Sequence, residues 1–196
     1  MAESLQHSYG IRHLIALIIL FTATFATLTT AAPIDVSPNT SSLIARNGQC
    51  PSIDSMREHM RKRGMPTAST VFYTTPAEAG DAKGFAEALT PPGNYFEDFF
   101  TFADVVSWAD ACGDNVAEQE KIVLRASIAL AREASGIAYV VTRGTPGDDS
   151  IWKMREFPSL QWNPRITEVH RFDLDTQEYT LIWRGGDAPT GPENIV

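Results

Sequence analysis

The sequence is poor in cysteine, in histidine and in positive charge. Its 196 residues include two cysteines, four histidines and 16 Lys and Arg against 24 Asp and Glu, which gives a net charge of −8. Nucleic acids and anionic membranes are bound by clustered cations. The one basic cluster, 57–63, also contains Glu58 and is predicted to be a solvated helix face. The composition therefore argues against nucleic-acid partners, and the histidine spacing predicts no metal site.

Long hydrophobic runs are absent after the N-terminus. Arg12 and His13 precede an apolar stretch, 14–28, that is short for a membrane span and is followed by small residues at 29–32. This pattern predicts a secretory signal peptide over residues 1–32, with an uncleaved signal anchor as the alternative. No later segment is apolar enough to cross a bilayer. The mature protein is therefore expected to be secreted and to have no membrane partner.

Secretion determines how the two cysteines are interpreted. In an oxidising compartment Cys50 and Cys112 are predicted to form one disulfide bond, and two free thiols are the alternative. Asn39 begins an N-glycosylation motif, Asn-Thr-Ser. It lies in a segment rich in Pro, Ser, Thr and Asn, 33–49, that is predicted to be a flexible leader. One folded domain is expected over 50–186, followed by a loose tail over 187–196.

The domain alternates between patterns typical of helices and of strands. The content of hydrophobic residues, 43%, is enough for one core. The fold class that follows is α/β, with an N-terminal helical part packed on a small, mostly parallel sheet with flanking helices. The predicted helices cover 51–63, 75–89 with a capping box at its start, a stretch that passes through Trp108 and ends at Cys112 and Gly113, and 115–135. The predicted strands cover 70–74, 137–142, 151–160, 166–174 and 179–183.

The segment 151–160 places a carboxylate among large apolar side chains. If it is a strand, Trp152, Met154 and Glu156 lie on one face, and both cations of the segment point away. Burial beside an indole would raise the pKa of Glu156, which is a recurring arrangement at active sites. The alternative is a solvated strand end at which Pro158 stops the pairing. The pattern makes Glu156 a candidate catalytic residue.

Several short motifs precede this segment in a fixed order. They are Val71-Phe72-Tyr73-Thr74, then Phe96-Glu97-Asp98, then 103–108 ending in Trp108, then the Ala-rich helix 129–134 with the strand 137–142, and finally 150–160. In this order they resemble the ADP-ribosyl cyclase / NAD glycohydrolase family, over about residues 70–186. That family has an aromatic strand end, a Leu-Glu-Asp motif, an acidic stretch before a tryptophan and a last strand with the catalytic glutamate.

The resemblance implies an enzyme that cleaves the nicotinamide–ribose bond of NAD, with NAD as substrate and no other cofactor. Glu156 would be the catalytic carboxylate, because a buried negative charge stabilises the positive charge that develops on the ribose. Glu97 and Asp98 would contact the nicotinamide, and Tyr73 would be an aromatic wall for the cationic ring. The pyrophosphate would be held by the N-termini of two helices, one at Thr75 and one at Asn115.

The chain also departs from the family pattern. Tyr73 stands in place of the first pocket tryptophan, and Thr74 and Thr75 replace a hydroxyl–arginine pair that binds phosphate. No aromatic residue lies near Leu124, where the family has a second tryptophan, so Trp152 would supply that wall. These differences favour hydrolysis over cyclisation, because cyclisation needs a shielded pocket.

Two other functions fit the same residues. One is a glycoside hydrolase in which Glu97 and Glu156 act as acid and base or nucleophile. The other is a secreted, non-catalytic binding or effector protein on the same scaffold, in which Glu97, Asp98 and Glu156 are structural.

Overall fold

The computed structural model describes residues 50–66 and 68–191. The predicted signal peptide at 1–32 and the leader at 33–49 with its Asn39 motif lie outside the described residues, as do 192–196. The helices are α1 (Ile53–Arg63), α2 (Ala79–Ala88), α3 (Phe96–Phe99), α4 (Phe102–Ala111), α5 (Val116–Gln119), α6 (Ile122–Glu133) and α7 (Phe157–Gln161), with a π-helical segment, Trp152–Glu156, leading into α7. The strands are β1 (Ser69–Tyr73), β2 (Asn94–Tyr95), β3 (Gly136–Thr142), β4 (Ile166–Asp173) and β5 (Glu178–Arg184).

The five strands form one sheet in the order β2-β1-β3-β4-β5. The first four strands are mutually parallel, and β5 forms an antiparallel hairpin with β4. In the register of the central pair, Phe72 lies opposite Val140 and Tyr73 opposite Val141. The protein is therefore an α/β fold with a mostly parallel sheet flanked by helices, as the sequence predicted.

The two faces of the sheet are covered by different helices, since alternate residues of a strand point to opposite faces. On one face, Val71 and Val141 pack with Ala82, Phe85 and other residues of α2 and its surroundings. On the other face lies a larger core, which includes Met56 and Met60 of α1, Phe100, Trp108 of α4, Leu130 of α6 and Leu160 of α7. Both faces of β3 are covered, which explains why its sequence is apolar without alternation.

The structure contains the predicted disulfide bond between Cys50 and Cys112. The bond joins the start of the described chain to the end of α4, and the sequence separation is 62 residues. α1 begins as the sequence indicates: the Ser52 hydroxyl accepts a hydrogen bond from the Ser55 N–H at 3.2 Å. It ends at Gly64, whose φ of 116° favours glycine.

The predicted strand over 151–160 is wrong. The segment is helical, with Phe157 donating its N–H to the Trp152 carbonyl in the π-helical turn. Trp152 and Glu156 are one helical turn apart and remain on one buried face, whereas Met154 is 44% exposed. Period two over five residues does not separate a strand from a helix, because positions i and i+4 coincide in both patterns.

Other helix boundaries also differ from the prediction. α2 begins at Ala79 rather than Thr75, after a cis peptide bond between Thr75 and Pro76. The helix predicted from Asn115 is divided into α5 and α6.

The basic cluster 57–63 is not a wholly solvated face. Arg57 and Arg61 both bind the carboxylate of Glu133, which is 1% exposed.

The segment after β5 contacts the helix α7. Thr190 donates from its N–H and its hydroxyl to Gln161 Oε1, at 3.0 and 2.8 Å, and the Trp162 indole N–H donates to the Gly191 carbonyl at 2.8 Å. Within the described residues no helix is both long and apolar enough to span a membrane.

Candidate functional site

The strand order reverses direction between β1 and β3, which is the place where parallel α/β sheets have a crevice at the carboxyl ends of the strands. The chain leaves β1 for β2 on one side and later returns to β3 on the other, so the connections diverge between these two strands. In parallel α/β sheets, ligands bind at such a point. Tyr73 and Thr74 lie at the end of β1, and Thr142 ends β3. β2 ends at Tyr95 and leads directly into α3, which carries Glu97.

Glu156 is a buried carboxyl group on the same side of the sheet as Phe72. Its residue is 6% exposed. Burial raises its pKa to about 8, and a hydrogen bond from the Ser127 side chain of α6 offsets part of that rise. At neutral pH the free protein therefore holds Glu156 mostly protonated. A cation placed beside it would favour the ionised form.

Trp152 lies one turn before Glu156 and packs between two phenylalanines. Its ring centroid is 5.8 Å from that of Phe72 and 5.5 Å from that of Phe157, and the latter pair is stacked. Although Trp152 is only 3% exposed, it lines a cavity of about 350 Å³. Lys153 and Arg171 also line this cavity, so two cations lie close to the helix that carries Glu156.

Tyr73 lies within electrostatic reach of both predicted glutamates. Burial raises the pKa of its hydroxyl, and the negative charges of Glu97 and Glu156 raise it further. The pKa of Glu97 is raised as well, mainly by burial and also by the charge of Asp98. Glu97 Oε2 is buried and has no hydrogen-bond partner among the described residues. Tyr73 thus interacts electrostatically with both glutamates at the end of β1, although its ring packs on the α2 face of the sheet and Phe72 packs on the other face.

Asp98 has a different environment from Glu97. It is exposed, and its Oδ2 accepts hydrogen bonds from the Tyr95 N–H at 3.0 Å and from Asn94 Nδ2 at 3.3 Å. These contacts hold the start of α3, where backbone N–H groups need acceptors. Asp98 therefore acts as a helix cap, and Glu97 is the member of the pair that faces Tyr73.

The N–H groups at the starts of α2 and α5 are bonded to the chain's own side chains. In α2 the Glu78 and Asp81 carboxylates cap each other's backbone, with the Glu78 N–H donating to Asp81 Oδ2 at 3.0 Å. In α5, which has four residues, the Asn115 side chain accepts from the Glu118 N–H. Thr75 is not at a helix start. The backbone of the neighbouring Thr74 is bonded to Val141 and Ala77. The expected helix start at Thr75 is therefore wrong, whereas Asn115 does begin a helix and caps it with its own side chain.

Two residues near the crevice were not among the sequence predictions. Ser127 hydrogen-bonds Glu156. It is a buried polar residue among the apolar residues of α6, and this pattern is the sequence signal by which it could have been found. Thr142 is 1% exposed, and its hydroxyl has no partner among the described residues. By strand alternation it points to the same side as Val140 and the core that contains Phe72.

No group of three or more His, Cys, Asp or Glu residues in the described chain is placed to hold a metal ion. Comparison of the chain with the signatures of known protein families, with curated proteins and with solved structures finds no match.

Proposed function

We propose that this chain is a secreted NAD glycohydrolase with an ADP-ribosyl cyclase-like fold. The observation that carries the proposal is the buried Glu156, with its pKa raised to about 8, whose charge acts together with that of Glu97 on Tyr73 at the carboxyl end of β1. A titratable group that is perturbed in this way in a crevice is typical of active sites. The disulfide bond supports the secreted location.

In the proposed reaction the bond between the nicotinamide nitrogen and the ribose C1′ breaks. Its electron pair goes to the nitrogen, nicotinamide leaves, and positive charge develops on the ribose. The bound pyridinium first lowers the pKa of Glu156, because a nearby positive charge favours the carboxylate, and the proton is released to solvent. The carboxylate then stabilises the ribosyl cation. Water adds to C1′ and loses a proton, which gives ADP-ribose.

The other residues of the crevice would bind the substrate. The Tyr73 ring would stack on the pyridinium. Glu97 Oε2, which has no partner among the described residues, would accept a hydrogen bond from the nicotinamide amide. Lys153 and Arg171, at the cavity beside Trp152, would bind the pyrophosphate in place of the arginine that the family has near Thr74.

A second candidate is a glycoside hydrolase. It is favoured by one observation: Glu97 and Glu156 both have raised pKa values and both act electrostatically on Tyr73. One protonated and one ionised carboxyl group on either side of a sugar would meet the needs of that reaction. The third function is a binding protein without catalysis, which would release no nicotinamide from NAD.

The deciding experiment incubates the purified secreted protein with NAD and measures nicotinamide, ADP-ribose and cyclic ADP-ribose by chromatography. We expect nicotinamide and ADP-ribose in equal amounts, with little cyclic product. Glu156→Gln should lower the rate about 100- to 1000-fold, because it removes the stabilising charge and keeps the shape. Glu87→Gln, at an exposed position on α2, is the matched control and should keep the full rate. If nicotinamide is not released, or if Glu156→Gln releases it at a normal rate, the proposal is wrong.

A further inference from the structure

A second cleft lies at the opposite end of the sheet from Glu156. It has a volume of about 480 Å³, which is within the range of small-molecule sites. Its walls come from α1, from the end of α6, and from the residues that immediately precede β4. The end of α6 and the start of β4 are at the amino ends of β3 and β4, where the Gly136 N–H donates to the Arg165 carbonyl at 2.8 Å. The cleft is therefore separate from the crevice at the carboxyl ends.

Arginine dominates this cleft. Its lining includes Arg57, Arg61, Arg132 and Arg165, and Glu133 is the one acidic residue among the lining groups. Together with Asp54, which pairs with Arg57, four positive charges and two negative charges leave a local excess of +2, in a chain with a net charge of −8. A cluster of positive charge in a chain whose net charge is negative attracts anions to the cleft.

Glu133 holds three of these arginines in fixed positions. It is 1% exposed and accepts hydrogen bonds from Arg57 Nε and Arg61 Nη2, both at 2.6 Å, and from Arg165 Nη2 at 3.3 Å. Arg57 is also paired with Asp54, whose Oδ1 lies 3.1 Å from Arg57 Nη1, so two carboxylates face three guanidinium groups and one positive charge is not neutralised. Arg61 and Arg165 also remain 51% and 41% exposed. Donors that are already oriented bind a phosphate group with less loss of side-chain freedom.

Two further residues extend the cleft. Arg132 forms no ion pair with any described acidic residue, so its guanidinium is available to a ligand. Trp162 is 43% exposed, and its orientation is fixed by the hydrogen bond from its indole N–H to the Gly191 carbonyl at 2.8 Å. An exposed indole held in place beside oriented guanidinium groups suits a ligand that has both phosphates and a planar ring.

We infer that this arginine cleft binds the phosphate groups of a nucleotide, with the base against Trp162. The guanidinium groups would form paired hydrogen bonds with the phosphate oxygens. A nucleoside polyphosphate carries several negative charges, which the local excess of +2 attracts. This inference does not depend on the proposed catalytic role of Glu156, because the two sites share no residue.

The test uses the complete secreted protein and three probes: ATP, inorganic tripolyphosphate and adenosine. Binding is measured by calorimetry and by the change in tryptophan fluorescence. Arg132→Gln removes the guanidinium that has no described acidic partner. Arg184→Gln is the matched control, because it removes the same group from β5, outside the cleft. A thermal melt of each variant verifies that it is folded, and Trp162→Leu provides an independent variant if Arg132→Gln does not fold.

We expect ATP and tripolyphosphate to bind saturably, with ATP tighter, and adenosine not to bind at concentrations that saturate with ATP. Arg132→Gln should weaken ATP binding about tenfold or more, and Arg184→Gln less than about twofold. Trp162→Leu should remove the advantage of ATP over tripolyphosphate. Absence of saturable binding, or equal weakening by Arg132→Gln and Arg184→Gln, would show that the cleft is not a nucleotide site. An acidic peptide that binds while ATP does not would have the same meaning.

Discussion

Glu156 and Glu133 are both buried glutamates, yet their surroundings move their pKa values in opposite directions. Burial dominates at Glu156 and raises its pKa to about 8, and the hydrogen bond from Ser127 offsets only part of the rise. Burial also acts to raise the pKa of Glu133, but hydrogen bonds from Arg61 and Arg57 outweigh it and hold the pKa below its ordinary value. The number of cations around each carboxylate thus accounts for the opposite directions of the two pKa shifts.

The pH dependence of NAD cleavage should report Glu156. If the ionised carboxylate is required, kcat/KM should rise with pH with a midpoint near pH 8, because this ratio follows the pKa of the free enzyme. The midpoint for kcat should lie lower, since the bound pyridinium favours ionisation. Initial rates between pH 5 and 10 measure both profiles. A kcat/KM that is constant across this range would be inconsistent with the proposed role.

Glu97 and Asp98 are neighbours that should respond differently to the same chemical change. Glu97→Gln should raise KM for NAD by several-fold to about tenfold, because a neutral amide oxygen accepts the hydrogen bond from the nicotinamide amide less strongly than a carboxylate does. Asp98→Asn keeps an oxygen for the Tyr95 N–H and should leave kcat and KM unchanged. Steady-state kinetics of both variants, with melting temperatures as the folding control, make the comparison. A KM effect in Asp98→Asn alone would reverse our assignment of the two residues.

At the scale of elements, the segment 151–161 shows what the sequence could predict and what it could not. The sequence correctly placed Trp152 and Glu156 on one buried face, since both periods put positions i and i+4 together. It could not identify the helix, because Pro158 was interpreted as the end of a strand when it lies in the first turn of α7. The prediction of a helix start at Thr75 was also wrong. Its pattern of Thr, Pro and Glu was interpreted as a capping box, whereas Thr75 and Pro76 form a turn and the helix begins at Ala79.

The strands of the sheet and the disulfide were easier to predict than the environments of single polar residues. A continuous apolar run such as 137–142 has few alternatives in a chain of this length. In contrast, Ser127 meets Glu156 and Arg57 meets Glu133 only after distant elements pack. Contacts between residues far apart in sequence leave no local pattern, and Ser127 and the arginine cleft were missed for this reason.

The contact between α1 and α6 depends on Glu133. Glu133→Gln leaves Arg57, Arg61 and Arg165 without their shared carboxylate, and it should lower the free energy of unfolding by about 3 kcal/mol. Glu58→Gln, on the solvent side of α1, removes an exposed ion pair with Lys62 and should change stability little. Urea denaturation at pH 7 compares the two variants. Equal stability of Glu133→Gln and the unchanged protein would show that the arginines find other partners.

At the scale of the whole molecule, stability should be greatest in mildly acidic solution. Between pH 4.5 and about 8 the folded chain keeps a proton on Glu156 that the unfolded chain has released, so stability falls as pH rises, by up to about 1.4 kcal/mol per pH unit. The lowered pKa of Glu133 has the opposite effect, because the stability it gives is lost as pH falls below 4.5. Together they predict a maximum near pH 5.

Glu156→Gln should shift that maximum toward neutral pH and should raise the melting temperature at pH 7. A buried glutamate at pH 7 must take up a proton that the unfolded chain has released, whereas a glutamine does not titrate. Calorimetric melts of both proteins from pH 4 to 9 give the comparison. A melting temperature of Glu156→Gln that falls in parallel with that of the unchanged protein above pH 5 would assign the slope to another group.

The disulfide should make a large contribution to the stability of a domain of this size. Closing a loop of 62 residues stabilises the folded state by about 4 kcal/mol in the chain-entropy model. Reduction should therefore lower the urea midpoint clearly, and Cys50→Ser/Cys112→Ser should have the same midpoint with and without reductant. Thiol labelling of the unfolded, unreduced protein should find no reactive cysteine. Two labelled thiols would contradict the bond.

The same bond has a consequence for proteolytic processing. α1 is joined to β1 through Gly64 and Met65, both exposed, and it is also joined to α4 through Cys50 and Cys112. A protease that cuts between Gly64 and Met65 would produce two polypeptides that stay covalently linked, with the α1 methionines still in the core. The two fragments would separate on a gel only after reduction. A cut in the backbone at this position would therefore leave the fold in place.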